Sequence, residues 1–338
     1  MIESVDSNEG RGAFRSQQDW AAAQINLGSD WAQLSTGDRS ANLGKAITCF
    51  EAALSVFTEK VYPREWAMIQ NNLANVWADL PTGDMAANLW NAFRCYEAAL
   101  RVLSEQDSPQ EWARIQYNLA SVWVQLPTSD RTTNLNSAIA CYEAALRVYS
   151  EHESPQDWAA VQNNLGNIWL EFVTGDRDVN LINAIACYEA ALRVYSEQHT
   201  PLDWARVERN LGNAWLELTA GDRAANLDKA IACYTAALRV YTEQEFPDYR
   251  AFVERHLQQA WLDLDSQPGV KRDSPTNDAD GHHLQKTETT ETTLTPSAAT
   301  DSTDSNETIL NGVKFVTTSG QGPISWHYPG FGGSKSHS

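Results

Sequence analysis

Apolar side chains recur along this chain at two intervals, a short one of three and four residues within segments and a long one of 46 residues between segments. Three series share the long interval. They are Trp20, Trp66, Trp112, Trp158 and Trp204; Trp31, Trp77, Trp123, Trp169, Trp215 and Trp261; and Cys49, Cys95, Cys141, Cys187 and Cys233. A fixed period of this kind predicts an array of stacked structural repeats.

Each repeat contains two segments with the apolar spacing of an amphipathic helix. In the fourth repeat these are residues 155–172 and 180–198, which we call helix A and helix B. A proline stands at the predicted start of helix A, a position that tolerates the missing N–H. These prolines are Pro63, Pro109, Pro155, Pro201 and Pro247.

The turn between helices A and B reads Thr-Gly-Asp-Arg in the first and fourth repeats, and glycine supplies the tight turn. An Asn-Leu pair follows in every repeat. The asparagines are Asn42, Asn88, Asn134, Asn180 and Asn226. We interpret them as structural residues that cap the N-terminus of helix B by accepting a backbone N–H.

These patterns predict an all-α solenoid, a right-handed superhelix of five helix pairs and a C-terminal capping helix over residues 247–264. Residues 1–15 are predicted to be disordered, 16–264 to form the solenoid, and 265–308 to be a disordered linker. Residues 309–338 form a segment rich in glycine and aromatic residues. A lone repeat cannot bury both apolar stripes, so the helices must stack into one elongated core.

The repeat resembles a known family at Leu165-Gly166-x-x-Trp169 and Ala184-x-x-x-Tyr188-x-x-Ala191. This pattern of small and large residues is similar to that of tetratricopeptide repeats, whose usual period is about 34 residues. Repeats with this motif and long period resemble those of bacterial, notably cyanobacterial, proteins that carry a CHAT protease domain after the repeats. The residues after Leu264 are too few and too polar for such a domain. The resemblance therefore implies a binding scaffold without the protease.

The resemblance also implies that helix A lines a concave face on which asparagines hold the backbone of an extended peptide. The candidate contacts are Asn26, Asn72, Asn75, Asn118, Asn164, Asn167, Asn210 and Asn213. A side-chain amide both donates and accepts hydrogen bonds, which suits a peptide group. The alternative is that these asparagines bond neighbouring helices or face water.

Acidic residues near the end of helix A would add an acidic rim that favours a basic ligand. The candidates are Asp79, Glu171 and Glu217. The alternative is that they only solvate an exposed helix face. Arg206 and Arg209 would pair either with a carboxylate of the ligand or with Glu208 and its neighbours in the stack.

Composition narrows the classes of function. The 338 residues carry a formal net charge of -19, which argues against binding to nucleic acid or to an anionic membrane surface. Residues 1–15 lack the apolar stretch of a secretory signal, so the predicted location is cytoplasmic. The cysteines lack a Cys-x-x-Cys pair and are interpreted as reduced core thiols rather than a metal or redox ladder. No histidine recurs with the repeat, so the sequence predicts no enzyme, no metal site and no cofactor.

The C-terminal segment leaves several interpretations open. Its candidate motif consists of Trp326, His327, Tyr328 and Phe331. It is a docking motif or short hairpin that folds on a partner or fills the chain's own groove, a substrate that a partner enzyme cuts or modifies, or a remnant of a lost domain. The predicted function is a monomeric protein-protein interaction scaffold that binds an extended peptide or protein. The alternative is a carrier or precursor whose tail is bound, cleaved or modified.

Overall fold

The computed structural model describes residues 16–128, 130–172, 175–267, 307–310 and 313–316. These residues contain eleven α-helices and two short strands. The helices are α1 (Gln17–Gln33), α2 (Arg39–Leu54), α3 (Pro63–Asp79), α4 (Met85–Leu100), α5 (Pro109–Gln125), α6 (Arg131–Leu146), α7 (Pro155–Glu171), α8 (Arg177–Ala191), α9 (Pro201–Glu217), α10 (Arg223–Ala237) and α11 (Pro247–Asp265). Odd-numbered helices are helix A and even-numbered helices are helix B. The predicted all-α array of five helix pairs and a final helix A is confirmed.

Helix A begins as the sequence predicts. Proline occupies the first turn of α3, α5, α7, α9 and α11. The first helix, α1, has no proline and starts instead at Ser16, whose hydroxyl accepts the backbone N–H of Asp19 at 3.1 Å. The proline and the serine cap both reduce the number of backbone N–H groups that the first turn of a helix leaves without a hydrogen-bond partner.

Helix B begins three residues earlier than predicted. Helix α8 starts at Arg177, and the Asp176 carboxylate accepts the backbone N–H groups of Asp178 and Val179. An aspartate precedes every helix B in the same way: Asp38, Asp84, Asp130, Asp176 and Asp222. The interpretation of Asn180 and its equivalents as N-caps is therefore wrong, because a carboxylate already accepts the orphan N–H groups.

The asparagine of the Asn-Leu pair donates hydrogen bonds instead. Asn88 donates from Nδ2 to the backbone oxygens of Leu80 and Thr82 at 3.2 and 2.9 Å. Its equivalents Asn42, Asn134, Asn180 and Asn226 make the same kind of bond. The turn that they hold contains Gly83, whose φ of 85° favours glycine. The asparagines are structural, as predicted, because they tie helix B to the preceding turn.

The two helices of a repeat approach most closely at one small residue of helix A. A Cβ atom at Gly166 would lie 2.6 Å from Cε1 of Tyr188, far inside normal contact distance. Gly212 faces Tyr234 in the same way. In α11 the equivalent residue is Gln258, an exposed and larger side chain. A helix B could not pack on α11 at the same distance. Helix α11 is the last helix of the described residues, as predicted for the capping helix.

Two short strands follow the solenoid in the sequence, and the second of them contacts α8. Strands β1 (Glu307–Leu310) and β2 (Val313–Val316) pair antiparallel as a hairpin. The hairpin crosses the predicted boundary between linker and C-terminal segment, since β1 begins at Glu307 rather than after residue 308. Residues 1–15, most of the predicted linker and the candidate motif at Trp326, His327, Tyr328 and Phe331 lie outside the described residues. None of the helices described is long and apolar enough to cross a membrane.

Candidate binding face on helix A

Five positions of each helix A form one stripe along the helix. In α3 they are Arg64, Met68, Asn72, Asn75 and Asp79, at steps of four, four, three and four residues. The first two and the last are exposed, and the two asparagines are half-buried. Successive helix A segments also contact each other, for example α3 with α5 and α7 with α9. We call the stripe in α3, together with its equivalents in the other repeats, the helix A face.

The asparagines of this face bond between repeats. Asn118 of α5 donates from Nδ2 to Oδ1 of Asn75 in α3 at 3.0 Å. The same oxygen accepts the hydroxyl of Tyr96 in α4 at 2.5 Å. One amide therefore joins helix A and helix B of its own repeat to helix A of the next repeat.

The same bonding continues along the array. Asn210 donates to Oδ1 of Asn167 at 2.9 Å, and that oxygen also accepts the Tyr188 hydroxyl at 2.8 Å. Asn213 accepts the hydroxyl of Tyr234 at 2.8 Å. Asn210 is only 2% exposed. A ligand could reach its amide only by breaking the bond between repeats.

The third and fourth repeats use tyrosine hydroxyls for this bond. Asn164 donates to the hydroxyls of Tyr117 and Tyr142 at 3.0 and 3.1 Å. Ser121 stands where Asn75 stands in the second repeat, and its hydroxyl lies 3.1 Å from that of Tyr142. Asn164 is 4% exposed, so its position also favours a structural task.

The structure thus gives most predicted contact asparagines the bonds between neighbouring helices that were the alternative interpretation. Asn26 is exposed in α1, and Asn72 is half-buried beside Asn71, which donates to it at 3.4 Å. Peptide contact stays a prediction for the exposed and half-buried members of the set. Those members are Asn26, Asn72, Asn75, Asn118, Asn167 and Asn213.

The predicted acidic rim needs correction. Glu171, which is 6% exposed, accepts two hydrogen bonds from Arg131 of the preceding repeat at 2.5 and 2.8 Å. The other pairs of this kind are Arg39 with Asp79 at 3.3 Å, Arg177 with Glu217 at 2.5 Å and Arg223 with Asp263 at 3.4 Å. Each candidate acid is neutralised by an arginine one repeat earlier. The acids therefore do not form a free negative rim.

The sequence shows that the arginine and the acid of the next repeat occur as a pair. Met85 stands in place of the arginine in the second repeat, and the third repeat has Gln125 in place of the acid. The first repeat, which has no described repeat before it, carries Gln33 at the position of the acid. An acid occurs only where the preceding repeat supplies an arginine, so we assign these acids to stacking. Burial raises the pKa of Asp79 although Arg39 opposes the shift.

Sequence analysis missed a second set of contacts between repeats. Arg193 donates from Nε and Nη2 to Glu151 of the preceding repeat at 3.0 and 2.9 Å and lies 5.0 Å over the Trp158 ring. Equivalent triplets are Arg101, Glu59 and Trp66; Arg147, Glu105 and Trp112; and Arg239, Glu197 and Trp204. The hydrogen bond from arginine lowers the pKa of Glu151. The signal was present in the sequence, because these arginines and glutamates also recur every 46 residues.

The two arginines of the fifth repeat have different partners, Arg206 in its own helix and Arg209 also in α11. Arg206 pairs with Asp203 at 2.6 Å. Arg209 is 5% exposed, donates to Oδ1 of Asn210 and lies over the rings of Tyr249 and Phe252. The structure favours stacking over ligand binding for Arg209, although its partner is Asn210 rather than Glu208.

The repeated cysteines lie in or beside the core as free thiols. Cys49, Cys187 and Cys233 are buried, and Cys95 and Cys141 are half-buried. Burial raises the pKa of Cys95 to about 11, which keeps this thiol protonated near neutral pH. The interpretation as small core thiols is confirmed. Across the described residues, no group of three or more His, Cys, Asp or Glu side chains could hold a metal ion.

Comparison with known proteins adds little to this geometry. No protein-family model matches the chain, and no curated protein matches it. One similar solved structure is the crystal structure of BtubC (BKLC) from P. vanneervenii, which is 17% identical. The match covers 83% of this chain and 100% of that chain with a TM-score of 0.35. A TM-score this low does not support an assignment of the fold. The assignment to helical repeat proteins rests instead on the packing of the helix pairs described above.

Proposed function

We propose that this chain is a tetratricopeptide-type scaffold that binds an extended segment of another protein along the helix A face. Arrays of helix pairs are generally used for protein-protein interaction, because stacking repeats creates a long surface. The close approach of Gly166 to Tyr188 supports the tetratricopeptide assignment, since a small residue of helix A admits a large one of helix B.

The observation that carries this proposal is the continuity of the face from one helix A to the next. The bond from Asn118 to Asn75 fixes α5 against α3, and the bond from Asn210 to Asn167 fixes α9 against α7. The exposed side chains of Met68 and Arg114 are therefore held at fixed distances from each other by the packed helices. Rigid presentation lowers the ordering entropy that binding costs. In this proposal the asparagines shape the face, and neighbouring side chains make most of the ligand contacts.

The other properties of the scaffold stay predictions. We expect a cytoplasmic monomer whose ligand is a peptide or a protein segment. The tail remains a candidate ligand of its own groove or a substrate for a partner enzyme.

The proposal can be tested by selecting random extended peptides on the full chain and measuring their affinity for two variants. Ala160→Phe puts a phenyl ring on the helix A face, at the position that Phe252 occupies in α11. Ala140→Phe adds the same group to the exposed side of α6, a helix B. We expect selected peptides to bind Ala160→Phe at least about tenfold more weakly, a change of ~1.4 kcal/mol.

Affinity for Ala140→Phe should match that of the unsubstituted chain. Equal affinities for both variants would place the binding surface elsewhere, and a selection that enriches no peptide would argue against peptide recognition. Circular dichroism of both variants confirms that the helices are retained.

A further inference from the structure

Positions of the helix A face divide into those that repeat and those that vary. The positions of Asn72, Asn75 and Asp79 hold polar residues in every repeat, and members such as Asn118, Asn75 and Asp79 bond to neighbouring helices. Two positions vary. They hold Gln18, Arg64, Gln110, Gln156, Leu202 and Asp248 at one level, and Ala22, Met68, Arg114, Ala160, Arg206 and Phe252 at the other. Some of these side chains also contact the stack, since Gln18 donates to the Tyr62 hydroxyl and Arg209 lies over the Phe252 ring. The exposed side chains of Arg64, Met68 and Arg114 can help to determine which ligand binds.

The varied positions differ in charge from the rest of the protein. They carry Arg64, Arg114 and Arg206 against one acid, Asp248, in a chain of formal net charge -19. Arg206 is paired with Asp203. Arg64 and Arg114 are exposed, and no acidic side chain of the described residues lies within ion-pair distance of either. Two guanidinium groups without such a pair are thus available to a ligand.

A small cleft of about 20 Å³ lies beside Arg114 between α3 and α5. Its lining includes Met68 and Asn71 of α3 and Glu111 and Ile115 of α5. Asn71 is 3% exposed, yet its Oδ1 atom has no hydrogen-bond partner. A buried acceptor without a partner costs free energy. A hydrogen-bond donor that reached this atom would remove that cost.

The acidic residues near Arg64 and Arg114 stabilise the start of helix A. Glu65 and Glu111 lie in the first turn of α3 and α5, where a negative charge stabilises the helix N-terminus. An aspartate or glutamate occupies this position in every repeat, including Asp19, Asp157 and Asp203. Arg114 also lies close enough to influence Asp157 of α7. The acids are therefore a constant feature of helix A, whereas the arginines belong to particular repeats.

We infer that the helix A face of the second and third repeats recognises a peptide that carries carboxylates beside apolar side chains. The carboxylates bind Arg64 and Arg114, an apolar side chain packs on Met68, and a backbone N–H donates to Oδ1 of Asn71. This inference rests on the proposed function and specifies its ligand class. It replaces the basic ligand predicted from the sequence, because the acids behind that prediction are already paired.

The test uses two fluorescent probes, fluorescein-Gly-Glu-Leu-Glu-Leu-Glu-Gly-amide and the same labelled peptide with glutamine for each glutamate. Fluorescence anisotropy measures their affinity for the full chain. We expect the acidic probe to bind at least about tenfold more tightly than the glutamine probe. Arg114→Gln and Arg64→Gln should each remove most of this preference. The matched control is Arg94→Gln, an exposed arginine of α4 that donates to Asn91 instead of pairing with an acid.

The outcomes separate this inference from the proposed function. Equal binding of both probes, or an acidic preference that survives both substitutions, would overturn the inference. If peptides selected without bias lose affinity for Ala160→Phe but do not respond to Arg114→Gln, the scaffold function stands and the acidic ligand class is wrong. A preference lost equally in Arg94→Gln would reflect general charge and would also overturn the inference.

Discussion

The joint between the second and third repeats differs from the next joint, between the third and fourth, although both use the same sequence positions. At the third-to-fourth joint, Arg131 and the nearly buried Glu171 form a bidentate ion pair. At the second-to-third joint the same positions hold Met85, which is 63% exposed, and Gln125. Aromatic packing links that joint instead. The rings of Phe93 and Trp123 lie 4.9 Å apart in an edge-to-face arrangement, and Trp90 packs on Phe93.

This difference shows what the acids on helix A are for. A ligand-binding acid would have no reason to disappear where the arginine of the preceding repeat disappears. The loss of both together is expected if the two side chains serve one bond between repeats. A buried carboxylate without its arginine would be strongly unfavourable. Comparing the two joints therefore separates side chains that bond between repeats from side chains that are free to bind a ligand.

The largest predicted effect comes from breaking the buried pair at the third-to-fourth joint. Glu171→Gln should lower the free energy of unfolding by about 3 kcal/mol, because it leaves the Arg131 guanidinium without its countercharge. Gln125→Ala, at the equivalent exposed position of the preceding joint, should change stability by no more than about 0.5 kcal/mol. Urea unfolding followed by circular dichroism measures both variants.

A double substitution sharpens that comparison. Arg131→Met with Glu171→Gln copies the residues of the second-to-third joint and leaves no unpaired charge, so it should be more stable than Glu171→Gln alone. A double variant as unstable as the sum of the two single variants would show that the pair is not coupled.

The next effect in size concerns the asparagines that cross each joint. Asn164→Ala should cost about 2 kcal/mol, since it removes a buried amide that donates to Tyr117 and Tyr142. Asn118→Ala removes one bond from a half-buried amide and should cost about 1 kcal/mol. The exposed Asn26 is the control, and Asn26→Ala should change stability by less than about 0.5 kcal/mol. Equal losses at all three positions would contradict a role in joining repeats.

Sequence reasoning predicted the elements that depend on local pattern. The tryptophan period gave the number of helix pairs, and prolines such as Pro155 marked where helix A begins. It misplaced the start of helix B, because Asp176 and Asn180 are both good capping residues and only the structure shows which one caps. The local pattern was therefore enough for helix existence but not for every boundary.

The site was harder to predict because its bonds cross repeats. Asn210 and its partner Asn167 are 43 residues apart, and Arg131 is 40 residues from Glu171. A sequence shows that each of these residues recurs but not that one repeat places its side chain against the next. The same polar pattern therefore fitted a ligand ladder and a structural ladder equally well. The stacking geometry separates the two.

The smallest predicted effect compares a glutamate inside the array with one at its end. The hydrogen bond from Arg193 lowers the pKa of Glu151 below its ordinary value. A lowered folded-state pKa stabilises the protein above the unfolded value of about 4.5, and this contribution is lost as the pH falls through the folded value. Glu151→Gln should therefore lower the melting temperature slightly near pH 7 and by progressively less as the pH falls below about 4. Thermal scans at both pH values measure the change.

The control for this prediction is Glu243, the equivalent residue of the fifth repeat. Among the described residues, no helix B follows α11 and no arginine pairs with Glu243. Glu243→Gln should leave the melting temperature unchanged at either pH. If it lowers the melting temperature as much as Glu151→Gln does, then the glutamates act through the net charge of the chain, and the bond from each arginine to the preceding repeat contributes nothing measurable. If only Glu151→Gln lowers the melting temperature, the stabilisation comes from the hydrogen bond between two repeats.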